Sequence, residues 1–309
     1  MRSVCVLMST YNGEEYLEEQ LKSLFSQKNV EVHLVVRDDG SSDGTIAILN
    51  EYVRDGFPIE IPEELQGFHS DKGVGSSYLR LLRYGIKYYP NIQYFSFMDQ
   101  DDVWLEDKLF RAVEHINRSP NEKVLYFSNK KIVDENLNFL AHDDIRFNSD
   151  QVDYLGKNDA YGCTMVFTRA FAEMVLTGPV ENWPFLHDIV LEHVALATDT
   201  EIIHDSGETI LYRQHITNVT GAKDSKLLTR KNITTIFSNR RHYKCKLTSL
   251  ILKYYKPWIS KEYIHLFYSI LHYTEFKNGF YLIRKYTSAK NKTFKEKIRF
   301  IGMVVLRGI

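Results

Sequence analysis

The 309-residue chain holds only three cysteines, Cys5, Cys163 and Cys245. Odd in number, far apart and without paired metal-ligand spacing, they argue against a disulfide framework or a structural zinc site, and for a reducing, cytoplasmic setting. No window approaches the roughly 18 uninterrupted apolar residues that a membrane-spanning helix needs. Residues 1–8 are not expected to act as a signal peptide, because the short apolar run stops at Thr10-Tyr11-Asn12-Gly13. Also missing are a Gly-x-x-x-x-Gly-Lys-Ser/Thr loop and a Gly-x-Gly-x-x-Gly turn after the first strand, so two common phosphate-binding devices are excluded. There is no internal repeat and no low-complexity tract, and 44% hydrophobic with 26% charged residues is the composition of a folded protein.

Charge of one sign is scarce in each part of the chain. The net charge of −1 conceals 20 Lys+Arg against 36 Asp+Glu in residues 1–223, and 19 Lys+Arg against 4 acids in residues 224–309. Two readings stand: two solvated surfaces of opposite sign, or a catalytic domain (1–223) followed by a region (224–309) that meets something anionic.

Short β-branched runs alternate with helical periodicity over the first 130 residues. Strands are expected at 3–8, 30–36, 59–61, 93–98 and 123–128, and helices at 14–27, 45–53, 77–88 and 107–117. That alternation predicts an α/β fold, a mostly parallel sheet flanked by helices on both faces. Ligands of such sheets collect beyond the carboxyl ends of the strands, which directs attention to the loops at 9–13, 38–44 and 99–104. Further on, the pattern predicts a strand at 161–167, helices at 170–176 and 185–197, and a closing strand pair at 201–204 and 209–212. From about residue 226 the chain is helical, basic and aromatic.

Two strand ends carry clustered acids: Asp38-Asp39 after the second strand and Asp99-Gln100-Asp101-Asp102 after a later one. Carboxylates crowded at one crevice repel, and a divalent cation among them removes the cost. Oxygen ligands of this kind suit Mg2+ or Mn2+. Taken singly, Asp38, Asp43 and Asp102 read equally well as turn and helix-cap residues. Asp71-Lys72-Gly73-Val74-Gly75 offers the one glycine pair before a helix that could approach a phosphate.

Ser9-Thr10-Tyr11-Asn12-Gly13, Asp38-Asp39-Gly40-Ser41-Ser42-Asp43-Gly44-Thr45 and Asp99-Gln100-Asp101-Asp102-Val103-Trp104 occur in that order, each at a strand end. Together they resemble glycosyltransferase family 2, the inverting nucleotide-sugar enzymes of GT-A (Rossmann-like) fold. His187-Asp188 and Tyr212-Arg213-Gln214-His215, followed by Asn218-Val219 and Gly221-Ala222, resemble its bacterial rhamnosyltransferase-like branch. The resemblance covers roughly residues 3–223. It implies a dTDP- or UDP-sugar donor, a saccharide or lipid-linked saccharide acceptor, transfer of rhamnose or another hexose, and a role in cell-surface polysaccharide or glycan synthesis.

The resemblance also implies residue roles. Thr10 and Tyr11 line the base pocket, Asn12 is a further donor contact, and Asp39 bonds the base or ribose. Asp99 lies against the ribose or diphosphate, with Gln100, Lys72 and Arg213 as further donor contacts, and Trp104 either walls the sugar pocket or belongs to the core. Asp101 is the principal metal ligand and His215 reaches the metal or diphosphate. Asp188, near the start of a predicted helix, is the base that deprotonates the acceptor. Asp71 stands where relatives often have Asn.

The basic region, drawn as amphipathic helices at 261–286 and 295–306, suits an interfacial segment on the inner face of an anionic membrane. A helical bundle or a homodimer contact are the other readings, and no nucleic-acid recognition motif is present. Two other functions remain to be weighed. Asp99-x-Asp101-x-Val103 also resembles the nucleophile motif of haloacid-dehalogenase-like phosphatases, which lies on their first strand. A non-enzymatic anion-binding protein would use the basic region but not the acids.

Overall fold

Runs of Val, Leu and Phe build the central sheet. The computed structural model describes residues 2–67, 74–143, 145–156, 158–181, 184–215 and 243–305. Two compact units divide the chain: Met1–Ile145, Asp159–Glu192 and Thr200–Thr217 form the first, and Arg146–Asn158, His193–Asp199 and Asn218–Ile309 the second. The 223/224 boundary expected from charge falls outside the described residues, as do Asp71, Lys72 and the segment that holds Asn218 and Gly221.

In the first unit β1 (Arg2–Thr10), α1 (Glu14–Phe25), β2 (Val30–Asp38), α2 (Thr45–Arg54), β3 (Ile59–Glu60), α3 (Val74–Tyr88) and β4 (Tyr94–Met98) follow the expected alternation. β5 (Val103–Trp104), α4 (Lys108–Asn117), β6 (Val124–Val133) and β7 (Phe139–His142) come next. After them come α5 (Gln151–Leu155) in the second unit, then β8 (Val166–Thr168), α6 (Arg169–Val175), α7 (His187–Ala197) and β9 (Glu201–Arg213). The strands form one sheet in the order β3-β2-β1-β4-β8-β6-β9-β5, with β7 paired to β6. β1, β2, β3 and β4 are parallel, and β6 is parallel to β9. β8 runs against β4 and β6, and β5 against β9. Val4 to Met8 are buried without a break, as expected of a strand covered on both faces.

Register places the functional loops. Thr10 pairs with Asp38 and Met8 with Met98, so the ends of β1, β2 and β4 share one edge of the sheet. β5 pairs antiparallel to β9, Val103 opposite Leu211, which carries the chain after Asp99 alongside Arg213.

Three expectations are corrected. At 161–167 the chain first makes a 3-10 turn (Gly162–Thr164), and only Val166–Thr168 is strand. The Thr164 amide and hydroxyl both donate to the Tyr161 carbonyl, satisfying locally what a ladder would otherwise satisfy. The expected strand pair at 201–212 is one strand running along β6 with two register shifts. Asp205-Ser206-Gly207 reads as a turn, yet Asp205 accepts from the Gly207 amide and from Arg111, forming an irregularity inside the strand. The expected helix at 261–286 is two, because Glu275 adopts an extended conformation and restarts the helix.

The second unit carries α8 (Tyr243–Tyr255), α9 (Lys261–Leu271), α10 (Phe276–Ser288) and α11 (Phe294–Val305). Two of its lysines are internal. Lys292 pairs with buried Asp153 at 2.8 Å, and Lys244 donates to the Tyr154 carbonyl at 2.6 Å. No helix among the described residues is long and apolar enough to cross a membrane.

Candidate active site

The loops after β1 and β2 lock together through side chains. Asn12, with φ 46°, donates its amide to Ser41 and accepts from the Ser42 amide. Gly13 donates to Thr45 and Glu14 to Asp43. Asp38 accepts from the Gly40 and Ser41 amides and from the Thr10 hydroxyl, a turn-building role. Asp39 is buried and accepts from Arg37 at 2.6 Å and from the Ser77 and Ser9 hydroxyls.

The loop after β4 joins this pair through Gln100. Its side-chain amide accepts from the Tyr11 amide at 2.9 Å and donates to the Tyr11 carbonyl at 3.1 Å. A Cβ at residue 13 would lie 2.5 Å from Gln100 Oε1, so glycine there permits the clamp.

Asp99 accepts from the Tyr78 hydroxyl at 2.8 Å. Desolvation first, then the Asp101 charge, and to a lesser degree Asp188, push its pKa up to about 6. Asp102 is buried and accepts from the Arg213 amide at 3.1 Å, and its carboxyl is pushed well above the usual range by burial and by Asp101. The Asp99 and Asp102 oxygens and the Cys163 sulfur lie within 4.8 Å of one another. Burial raises the Cys163 pKa, so it stands there as a thiol rather than a thiolate ligand.

Asp101 faces His215, with Nε2 2.8 Å from Oδ2. Asp99 and Asp102, whose pKa values are raised, crowd the same loop as Asp101 and its imidazole partner, a set that fits a hard divalent cation. The thiol beneath adds nothing that would select zinc.

Asp188 lies in the first turn of α7, where an acid complements the helix dipole. Its Oδ1 accepts from the Ile189 amide at 2.7 Å, and desolvation raises its pKa to about 6 against the opposing backbone hydrogen bonds and Lys130. His187 is buried against Tyr78, with centroids 4.0 Å apart, and edge-on to Phe97. Desolvation lowers its pKa to about 3, so it is neutral.

Asp99, Asp101, Asp102, Asp188, His215, Tyr11 and Gln100 therefore gather at the carboxyl edge of the sheet. Two expected donor contacts sit differently. Trp104 is in the hydrophobic core, 2% exposed, under the Lys108 ammonium at 4.2 Å. Arg213 is also 2% exposed and donates to the Asp101 and Glu135 carbonyls and the Glu19 carboxylate, its guanidinium over Tyr16. It acts from below, holding the acidic loop.

Sequence reasoning missed Tyr78, Cys163 and Lys108. Tyr78 and Cys163 belong to no motif. Lys108 did leave a signal: a cation opening a helix opposes its dipole, and its side chain is fully buried beside Asp102 and Cys163.

The profile of Glycosyl transferase family 2 matches residues 5–176. The dTDP-rhamnosyl transferase RfbG of Shigella flexneri is 30% identical over 230 residues, covering 71% of this chain and 75% of that protein. The UDP-Glc:alpha-D-GlcNAc-diphosphoundecaprenol beta-1,3-glucosyltransferase WfgD of Escherichia coli is 26% identical over 188 residues, covering 60% of this chain and 65% of that protein. Among solved structures, S. aureus TarS 1-349 in complex with UDP-GlcNAc superposes with a TM-score of 0.58 at 18% identity, over 100% of this chain and 82% of that one. This chain is a glycosyltransferase: it belongs to glycosyl transferase family 2 and has the GT-A fold.

Proposed function

We propose that the protein is an inverting, metal-dependent hexosyltransferase that moves rhamnose or another hexose from a dTDP- or UDP-sugar to a hydroxyl of a saccharide or lipid-linked saccharide during bacterial surface-polysaccharide synthesis. The observation that carries this reading is the meeting of two acidic groups of different kinds. Asp101 with His215 stands at the acidic loop, and Asp188 stands on the first turn of α7 within electrostatic reach of Asp99. Family membership removes the phosphatase-like and purely anion-binding alternatives.

Asp101 and His215 would hold Mn2+ or Mg2+, which when bound neutralises charge developing on the diphosphate leaving group. Asp99, oriented by Tyr78, lies against the donor's ribose or diphosphate, where its carboxylate can accept from a ribose hydroxyl. Tyr11 and Asn12, with Thr10 beneath them, present the base pocket, and Gln100 fixes that wall to the acidic loop. Asp39, held by Arg37, anchors the nucleoside end. Asp188 takes the proton from the acceptor hydroxyl as that oxygen attacks the anomeric carbon from the side opposite the diphosphate. A partly desolvated carboxylate with pKa near 6 is a better base than an exposed aspartate.

The dTDP-rhamnosyl and UDP-glucosyl activities in the names of its relatives support those two donors, and the diphosphoundecaprenol in one name supports a lipid-linked acceptor. The test is a nucleotide-sugar screen. dTDP-rhamnose or a UDP-hexose should raise the melting temperature only with Mn2+ or Mg2+, and should be transferred with inverted anomeric configuration by proton NMR. Retained configuration, or transfer unaffected by EDTA, would overturn it.

A further inference from the structure

The second unit presents its apolar side chains to solvent in a way the first does not. Of fifteen large apolar residues exposed among the described residues, eight lie between Ile264 and Val305. They fall in rows at helical spacing. On α9 the row is Ile264, Tyr268 and Leu271; on α10 it is Phe276, 86% exposed, and Phe280 one turn on. On α11 it is Phe294, 80% exposed, with Ile298 and Val305. Each helix buries its opposite face: Leu266 and Ile270 on α9, Leu282 and Tyr286 on α10, Phe300 and Val304 on α11. The exposed rows are therefore additional to the faces that build the unit.

Cations flank the rows. Lys277 follows Phe276 and Arg284 lies one turn beyond Phe280; Lys295 follows Phe294 and Arg299 follows Ile298, all exposed. Acids are few: Glu262 is exposed in the first turn of α9, and the other two are engaged. Glu296 accepts from the Thr293 amide and hydroxyl at the start of α11, and Glu275 accepts from Asn278 at the start of α10.

We propose that these rows are a docking surface for an anionic phospholipid bilayer, with the aromatic and aliphatic side chains entering the headgroup boundary and the flanking Lys and Arg meeting lipid phosphates. Apolar rows with cations one residue or one turn away are what an interfacial helix needs, since long basic side chains reach the phosphates while their neighbours sink. A second copy of this chain would bring one cation-rich face against another, which disfavours a symmetric dimer through it. Nucleic acid would reward the charge but not the exposed Ile264, Leu271, Ile298 and Val305. The inference goes beyond the proposed transfer reaction and does not depend on the donor.

The test uses the full chain with sucrose-loaded vesicles at about 0.1 M salt. Vesicles containing phosphatidylglycerol should sediment the protein, pure phosphatidylcholine should not, and raised salt should release it. The charge variant Lys277→Glu/Lys295→Glu and the apolar variant Phe276→Ser/Phe294→Ser should each weaken binding about tenfold or more, while melting and hydrolysis of a free nucleotide sugar stay as in the parent. Equal binding by parent and both variants, or none to anionic vesicles, overturns the proposal. So does a sedimentation-velocity dimer that the Phe variant dissociates without any vesicle binding, or a preference for oligonucleotides over vesicles.

Discussion

His215 Nε2 lies 2.8 Å from Asp101 Oδ2 although 114 residues separate them. The antiparallel pairing of β5 with β9 brings them together, and Arg213 fixes the approach through the Asp101 carbonyl and the Asp102 carboxylate. If the pair holds a divalent cation, the two residues should fail together but unequally. Asp101→Ala should abolish metal-dependent nucleotide binding, and His215→Ala should weaken it by at least the roughly 10- to 100-fold lost when the outer partners of a metal site are removed. Calorimetric titration of UDP and dTDP with and without Mn2+ measures both. Unchanged affinity in Asp101→Ala would remove the ligand assignment.

Asp188 leads to a pH prediction. Desolvation raises its pKa to about 6, so the carboxylate needed for proton abstraction is lost as pH falls through 6. The rate of transfer should then fall about tenfold per unit below that point. The stability sign is opposite. A carboxyl whose folded pKa is raised is most stabilising when protonated, below its unfolded value of about 3.9, and this contribution disappears as pH rises through 6. Asp188→Asn should therefore keep donor binding, lose transfer, and at pH 7.5 gain about 1–2 kcal/mol, less than the full shift implies because solvent reaches the carboxylate. Near-normal turnover, or a lowered melting temperature, would contradict this.

Gly13 and Gln100 make a coupled pair. An alanine Cβ at 13 would meet Gln100 Oε1 at 2.5 Å, and Gln100 can withdraw only by giving up both hydrogen bonds to Tyr11. Gly13→Ala should cost about 1–2 kcal/mol of stability and raise the donor KM several-fold. Gln100→Ala alone should raise KM for want of the clamp. The double variant should be less impaired than the two losses combined, because the clash has gone. Steady-state kinetics and thermal melts of the four proteins close the cycle, and strict additivity would refute the coupling.

Most of this arrangement is legible in the sequence where local pattern and tertiary role agree. β1, β2 and β4 read as strands because Val4–Met8, Val32–Val36 and Phe95–Met98 are apolar but for His33 and Ser96, and their loops announce themselves by Asp, Asn, Ser and Gly. Asp188 could be read as a first-turn acid. Where a residue's partner is distant, the pattern is silent. Trp104 follows the acidic loop and reads as a pocket wall, yet β5's pairing with Leu211 and Ile210 turns it inward. Arg213 reads as a ligand contact because nothing local reveals that Glu19 and Glu135 await it. At 261–286 the apolar spacing continues through the break at Glu275, so periodicity alone joins two helices into one.

Gly162 sets the last test, because its backbone hydrogen-bonds the Asp188 carboxylate while its α-carbon faces His187. An added Cβ would sit 2.4 Å from His187 Nε2, and the ring cannot retreat, being packed against Tyr78 and Phe97. Overpacking of a buried ring typically costs about 1–3 kcal/mol. The relief available is a shift of the α7 N-terminus, which carries Asp188. Gly162→Ala should therefore lower the melting temperature by several degrees and lower kcat far more than it raises the donor KM, since the acidic loop and its Gln100 clamp are anchored elsewhere. The pH profile discriminates the cause. If Asp188 is displaced toward solvent, its pKa falls and the acid limb of the rate should move below 6, whereas a merely destabilised protein keeps the limb in place. An unmoved limb together with an unchanged kcat would show that His187 does not position the base.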